Sequence, residues 1–308
     1  MKEVAITKEK YGQFGNVIKL SNGIIELMVT IDFGPRIIRF GFVGKDNLLF
    51  EDINDDIHRK SKDMCVFGDE TWHIYGGHRL WASPEISPRT YYPDNEPVEY
   101  TEIKNGIRVT PPVQKWSNLQ MVMEIVFKGD KKVSVKHRII NKGAWDIELA
   151  PWPITILKEG GVEYVPFPKR KPELLPNRTL GVWPYTNLQD ERISFGKEFM
   201  SLRPDPSVRG KVKLGINNEE GYAMYFVDGD LFVLSYDTVI DGCYPDGGMS
   251  YETYTKDNMI EMETLGELEL LAPNEGTELT ETWQLFDSIP LPQSEKELKE
   301  LVSKKLKK

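Results

Sequence analysis

The chain has 308 residues, of which 39 are lysine or arginine and 48 are aspartate or glutamate, so its formal net charge is −9. Hydrophobic residues make up 40% and aromatic residues 11%, which is enough for a large buried core and excludes a disordered chain. The acidic balance argues against nucleic acid or an anionic membrane as a partner. With no apolar run of membrane-spanning length, no secretory pattern at Met1 and only two cysteines, we expect a cytoplasmic protein.

Short alternating apolar segments predict β-strands along most of the chain. Hairpin turns are indicated at Asn22-Gly23, Asn105-Gly106 and Asp228-Gly229. The predicted strand segments, in chain order, are 17–21, 24–30, 36–43, 98–103, 107–110, 119–127, 133–140, 222–227, 231–236, 259–264, 268–271 and 279–285. This pattern predicts an all-β sandwich or barrel, and the absence of a linker or repeat predicts a single domain over residues 1–308.

One helix is predicted at about residues 294–306. Ser294 and Glu297 have the spacing of a capping box, and Leu298, Leu301 and Leu306 then recur at helical spacing. We expect this helix to cover an edge or the back of a sheet.

Three long segments, 52–97, 166–188 and 242–254, are rich in proline, glycine and aromatic residues and are interpreted as functional loops. In the first, Trp72 and Trp81 accompany His78, Arg79 and Glu85 around a glycine pair. Aromatic faces beside charged groups suit a sugar, which offers C–H faces and hydroxyl groups. The alternative is a well-packed aromatic loop with structural ion pairs. His78 is a candidate because of its neighbours, although a lone histidine is more often structural.

The third segment contributes Tyr244, Asp246 and Glu252, and it leads into a strand with Glu261 and Glu263. Because side chains alternate along a strand, these two glutamates share one face, where a ligand or an arginine would relieve their repulsion. The alternative is a solvated strand face. No metal or phosphate motif is present, so neither a metal site nor a cofactor is predicted.

Several of these segments resemble the galactose mutarotase-like superfamily, which includes aldose 1-epimerases. The resemblance rests on residues 22–27 and 34–37 near the start, and on 261–268, 271–276 and 281–285 near the end. Residues 76–85 and 150–155 resemble an uncharacterised bacterial branch, and the whole resemblance covers most of residues 15–287. It implies a large antiparallel β-sandwich, often called a supersandwich.

The resemblance also implies a reaction in which a glutamate base and a histidine acid open and close the sugar hemiacetal. Glu263 is the best match to the base and Glu261 the next. The acid histidine of true mutarotases has no counterpart in residues 149–155, where Trp152 stands, so His78 would have to replace it. Arg79 and Arg36 would then donate hydrogen bonds to the sugar, together with a binding surface of Trp72, Trp81, Glu85, Trp152, Tyr244, Asp246 and Glu252.

Three functions therefore remain open, all with a small carbohydrate as partner. The first is an aldose 1-epimerase-like isomerase that uses general acid/base chemistry. The second is a non-catalytic sugar-binding protein, suggested by the missing histidine. The third is a glycoside-cleaving enzyme that uses paired carboxylates.

Overall fold

The computed structural model describes residues 2–306, and its regular structure is mostly antiparallel β-sheet. The strands, in chain order, are β1 (Ala5–Lys10), β2 (Asn16–Ser21), β3 (Ile25–Thr30), β4 (Ile37–Phe42), β5 (His58–Arg59), β6 (Trp72–His73), β7 (His78–Ser83), β8 (Glu99–Ile103), β9 (Gly106–Thr110), β10 (Leu119–Gly129), β11 (Lys132–Asn141), β12 (Ile147–Lys158), β13 (Val162–Pro166), β14 (Leu180–Val182), β15 (Ile193–Phe195), β16 (Phe199–Leu202), β17 (Val212–Ile216), β18 (Tyr222–Val227), β19 (Asp230–Tyr236), β20 (Tyr251–Lys256), β21 (Met259–Thr264), β22 (Glu269–Leu271) and β23 (Gly276–Phe286). The helical segments are three 3-10 turns (Gly12–Phe14, Lys62–Phe67 and Arg89–Tyr91), a four-residue turn α1 (Pro245–Gly248) and the helix α2 (Glu295–Lys305).

The strands form two large sheets that lie face to face. Sheet I has the order β1-β2-β3-β4-β7-β12-β21-β20-β17-β14, and its eleventh strand, β22, also pairs with β12. Sheet II has the order β15-β16-β13-β18-β19-β23-β11-β10-β9-β8, while β5 and β6 pair separately. The predicted all-β antiparallel sandwich with a C-terminal helix is therefore confirmed, including the hairpin at Asn22-Gly23 that joins β2 to β3.

The main core fills the space between the two sheets. Because successive side chains of a strand point to opposite faces of the sheet, every second residue of the central strands points into this space. Trp283 of sheet II packs against Phe40 of sheet I with ring centroids 5.2 Å apart, and both side chains are fully buried. The alternate residues of sheet I point outward, and on β7, β12, β17, β20 and β21 this outer face supports the candidate site.

The segment 52–97 is more regular than its composition suggests. His78–Ser83 is a six-residue strand inside sheet I, paired with β12, whereas the sequence indicated a loop. Gly76 and Gly77 precede it with φ values of 100° and 68°, and a Cβ on Gly77 would lie 2.3 Å from the carbonyl oxygen of Ile37. The glycine pair therefore lets the chain pass close to β4 before it enters the sheet.

The helix α2 covers the outer face of sheet II, on the side of the molecule opposite to the outer face of sheet I. Its Ser294 N-cap accepts a hydrogen bond from the backbone N–H of Glu297, as the sequence predicts. Leu298 is buried among outward-facing residues of sheet II, including Phe226 and Val233. Among residues 2–306, no helix has both the length and the apolar character that crossing a membrane requires.

Candidate functional site

A cleft of about 340 Å³ opens on the outer face of sheet I. Its aromatic lining consists of Trp72, Trp81, Tyr91, Trp152, Trp183, Tyr185 and Tyr254. Its charged lining consists of Arg79, Glu85, Lys211, Lys213, Lys256 and Glu261. Such a mixture of flat apolar surfaces and few charged groups is typical of small-molecule sites.

Strand alternation brings the inner half of this lining together. On β7, Arg79 and Trp81 point outward, and across the pairing with β12 Trp152 lies directly opposite Trp81. The rings of Trp81 and Trp152 are 5.4 Å apart at their centroids in an edge-to-face arrangement. This geometry is the favoured one for aromatic pairs, and it leaves neighbouring ring faces at different angles around the cleft.

Arg79 lies between two indole rings. Its guanidinium carbon is 4.2 Å from the centre of the Trp81 ring and 5.3 Å from that of Trp72. One of its nitrogens is 3.6 Å from Oε1 of Glu261. Burial lowers the pKa of Arg79 to about 10, although the Glu261 carboxylate opposes this effect. Arg79 thus remains a cation at neutral pH and is held by stacking as well as by charge.

A buried charge cluster forms the floor of the cleft. Nζ of Lys213 lies 2.8 Å from a carboxylate oxygen of Glu252 and 2.9 Å from Oε2 of Glu263. The indole N–H of Trp152 donates a hydrogen bond of 2.8 Å to the same Oε2. Lys213 itself lines the cleft, whereas Glu263 and Glu252 are fully buried behind it.

The protonation of the floor follows from its burial. Burial alone would lower the pKa of Lys213, but Glu263 and Glu252 raise it overall, so the lysine is charged. Burial raises the pKa of Glu252 to about 9, and the neighbouring Glu263 adds to this although Lys213 opposes it. At neutral pH Lys213 is therefore charged and the neighbouring Glu252 carboxyl group is protonated.

Of the two glutamates on β21, Glu261 and Glu263, only Glu261 belongs to the cleft lining. It lies two residues before Glu263 on β21, on the same outward face, and opposite Tyr254 of β20. Burial raises the pKa of Glu261 to about 7, with a further contribution from Glu263 and an opposing one from Arg79. A carboxyl group that titrates near neutral pH can take up and release a proton at the cleft wall.

The structure places six of the predicted site residues outside the cleft lining. Glu252 and Glu263 lie behind Lys213, and the other four lie elsewhere. His78 is fully buried between the sheets, because it is adjacent to Arg79 on a strand and the two side chains must point to opposite faces. The expectation that a loop presents both residues to one ligand is thereby corrected. Arg36 pairs with Asp94 at 2.5 Å and lines a different, small cavity. Tyr244 and Asp246 belong to the α1 region, where the Tyr244 hydroxyl accepts a hydrogen bond from the backbone N–H of Val239.

His78 belongs instead to an inter-sheet cluster with His137 and Glu281. Its Nε2 lies 2.7 Å from Nε2 of His137 on β11, and its Nδ1 lies 2.9 Å from the hydroxyl of Thr155 on β12. Glu281 of β23 has a ligand oxygen within 4.8 Å of both imidazoles. All three side chains are completely buried.

Several lining residues were missed from the sequence, above all Lys213. Its signal was a single lysine at the second position of the otherwise apolar strand Val212–Ile216, where an unpaired charge would be costly. Trp183, Tyr185 and Lys211 were missed as well, because their segment has no periodicity that would place it over the cleft. The indole of Trp183 lies 4.8 Å from Nζ of Lys213, so this segment forms one side of the site.

Structural comparison relates the chain to proteins of one fold. A galactose mutarotase-like protein from Lactobacillus casei matches 88% of this chain over its whole length, with a TM-score of 0.54 and 10% identity. A galactose mutarotase related enzyme from Lactobacillus acidophilus matches 90% of this chain over its whole length, with a TM-score of 0.52 and 8% identity. A TPR-domain containing protein from Parabacteroides distasonis gives a TM-score of 0.58 at 13% identity over 91% of this chain, which spans about half (49%) of that protein.

A scan against protein-family models finds no match, and a search of curated proteins finds none either. Identities of 8–13% establish the fold and not the activity. The arrangement of sheets I and II is that of a galactose mutarotase-like β-sandwich.

Proposed function

We propose that the cleft binds a carbohydrate and that the protein interconverts its anomers, as an aldose 1-epimerase-like enzyme. The observation that supports this most directly is the position of Glu261, a carboxyl group with a pKa of about 7 at the wall of an aromatic cleft. The sequence favoured Glu263 as the base, but Glu263 lies behind Lys213 and Trp152, and so the proposal transfers this role to Glu261.

Binding follows from the lining of the cleft. Trp81, Trp152 and Trp183 offer ring faces to the C–H groups of a sugar, while Arg79 and Glu85 offer a donor and an acceptor for hydroxyl groups. The cleft volume of about 340 Å³ lies within the range of small-molecule sites. The floor formed by Lys213 and its two glutamates holds Trp152 through the indole N–H, which fixes one stacking surface.

The reaction needs two proton transfers at the bound sugar. Ionised Glu261 takes the proton of the anomeric hydroxyl, and the ring oxygen receives a proton as the C1–O5 bond breaks. The hydroxyl of Tyr254, opposite Glu261 in the pairing of β20 with β21, supplies that second proton. Burial and the nearby Glu261 raise the pKa of Tyr254, so the hydroxyl stays protonated until the ring oxygen requires it.

The test measures exchange between the α and β anomers by magnetisation-transfer NMR across a panel of aldoses, with binding measured by calorimetry. We expect the unmodified protein to accelerate exchange, and Glu261→Gln to abolish the acceleration while sugar binding remains. Glu85→Gln is the matched control, since Glu85 lines the same cleft, the amide oxygen can still accept a hydrogen bond from a sugar hydroxyl, and no proton transfer is assigned to Glu85. Full activity of Glu261→Gln would overturn the assignment.

A second function, sugar binding without turnover, is favoured by one observation. His78 is the histidine that the resemblance required as an acid, and it is completely buried on the other side of sheet I. In this case calorimetry would detect sugar binding and the exchange rate would equal that of the free sugar. Absence of binding across the panel would contradict both functions.

A further inference from the structure

We propose that His78, His137 and Glu281 bind a divalent transition-metal ion, of which zinc fits best, between the two sheets. The three side chains come from β7, β11 and β23, so both sheets contribute ligands. Their ligand atoms all lie within 4.8 Å of one another, and every side chain is completely buried. Two imidazoles and one carboxylate form a ligand set that zinc uses in proteins.

The two imidazoles are oriented by hydrogen bonds at their Nδ1 atoms, as is usual for histidines that bind a metal. Nδ1 of His137 lies 3.1 Å from the carbonyl oxygen of Leu279, to which it donates its N–H. Nδ1 of His78 lies 2.9 Å from the Thr155 hydroxyl. These contacts direct the Nε2 atom of each ring toward the other ring and toward Glu281. Hydrogen bonds of this kind fix the tautomer and orientation of metal-binding histidines.

Glu281 is also oriented by neighbours that leave room for an ion. Thr264 donates a hydrogen bond of 2.6 Å to Oε1, and the indole N–H of Trp283 donates one of 2.9 Å to Oε2. A carboxylate has about four acceptor positions, so two remain free. Within residues 2–306, neither imidazole hydrogen-bonds Glu281, and no lysine or arginine forms an ion pair with it. The carboxyl group thus lies beside two imidazoles, and no described lysine or arginine pairs with it.

The short distance between the rings can be explained in two ways. One is a hydrogen bond, in which His78 donates from Nε2 to His137 across 2.7 Å and accepts from Thr155. The other is an ion bound by both Nε2 atoms. With zinc–nitrogen bonds of about 2.0–2.1 Å, tetrahedral zinc needs the two nitrogens about 3.3 Å apart, a displacement of about 0.3 Å for each ring. The hydrogen bond satisfies the imidazoles but makes no use of the two free acceptor positions of Glu281, whereas an ion would join all three groups.

The ion would connect the interior to the cleft. His78 and Arg79 are neighbours on β7 and point to opposite faces of sheet I. An ion that fixes His78 to two strands of sheet II would therefore fix the backbone from which Arg79 extends. Because the ligands belong to three separated strands, binding would be coupled to folding of the whole sandwich.

The test begins with the metal content of the purified full chain, measured by inductively coupled plasma mass spectrometry after growth with and without added zinc. We expect one transition-metal ion per chain. The protein is then unfolded in guanidinium with dipicolinate, which removes the metal, and is refolded with or without zinc. The form refolded without zinc should have a lower thermal unfolding midpoint than the form refolded with it. Refolding with cobalt should give visible absorption bands of a low-symmetry site.

Glu281→Gln and His137→Gln should lose the metal, whereas Glu163→Gln should retain it. Glu163 is the matched control because it is also a completely buried carboxyl group between the sheets, outside the cluster. If the two ligand variants do not fold, the metal content and the refolding comparison on the unmodified chain still decide. Absence of bound metal, with identical midpoints after refolding with and without zinc, would overturn the proposal in favour of the hydrogen-bonded histidine pair alone.

Discussion

Buried carboxyl groups on the two sides of sheet I have different kinds of partner. On the outer face, Arg79 and Lys213 lie beside Glu261 and Glu263, so each of these carboxyl groups has a basic side chain next to it below the cleft. Against the inner face, in the space shared with sheet II, imidazoles and carboxyl groups meet without lysine or arginine partners in the part of the chain that the structure describes. Glu163 and Glu281, which extend from sheet II, illustrate this. Carboxyl groups on the cleft side thus have a cation beside them, whereas those between the sheets are held by hydrogen bonds from hydroxyl and indole groups.

The largest expected effect tests the charge pairing of the outer face. Lys213→Met removes the cation that pairs with both Glu252 and Glu263, so we expect the free energy of unfolding to fall by about 3–5 kcal/mol. The measurement is urea denaturation at pH 7. Lys211→Met, on the same side of the chain but exposed, should change stability by less than about 0.5 kcal/mol. Equal losses in the two variants would contradict the comparison.

The next prediction tests the neutrality of the interior. Burial raises the pKa of Glu163 to about 8, although hydrogen bonds from Thr253 and Tyr251 oppose this, so the folded protein keeps a proton that the unfolded chain loses near pH 4.5. Stability should therefore fall as the pH rises from about 4.5 to 8, by about 1.4 kcal/mol per pH unit from this group.

Glu163→Gln removes this titration while it retains a side chain that can accept a hydrogen bond from Tyr251. Denaturation at a series of pH values should show a flatter dependence for the variant than for the unmodified protein. The difference between the two slopes isolates Glu163 from the other buried carboxyl groups. Parallel pH curves would show that Glu163 is ionised in the fold.

A third prediction concerns the proton exchange assigned to Glu261. If its ionised form accepts the anomeric proton, the catalysed exchange rate rises about tenfold per pH unit below its pKa and levels off above it. The midpoint should lie at about 7, the value that burial sets for Glu261. NMR exchange rates from pH 5 to 9 measure this profile. Glu85→Gln should leave the midpoint in place, and a profile without an inflection near 7 would exclude Glu261.

The smallest effect is expected at the mouth of the cleft. Tyr185 is 46% exposed and its ring lies 5.2 Å from Nζ of Lys211, so it contributes one partly solvated stacking surface. Tyr185→Ala should weaken sugar binding by less than about tenfold and leave stability within about 0.5 kcal/mol. Calorimetry and thermal unfolding measure the two quantities. A large loss of stability would place Tyr185 in the core instead.

The sequence predicted the fold better than the site, for physical reasons. Strands and hairpins follow from local alternation and turn residues, so the pairing of β2 with β3 could be predicted from Asn22-Gly23. The common face of Glu261 and Glu263 follows from the same alternation. That rule also separates His78 from Arg79, but their glycine-rich surroundings suggested a loop, to which alternation does not apply.

Contacts between distant strands were beyond prediction. Lys213 meets Glu263 across 50 residues and His78 meets His137 across 59, and neither contact leaves a local spacing in the chain. A metal site of this kind has no sequence motif, because its ligands are brought together by the packing of two sheets. The expectation of no metal rested on motifs alone.

The position of α2 has a practical consequence. The helix packs on sheet II, and the cleft opens on the far side of the molecule, on sheet I. An affinity tag or a fluorophore attached after the helix would therefore point away from the cleft. Protein captured on a sensor chip through such a tag should present its cleft to the flowing solution, which makes surface-based sugar screening feasible without a redesigned attachment point.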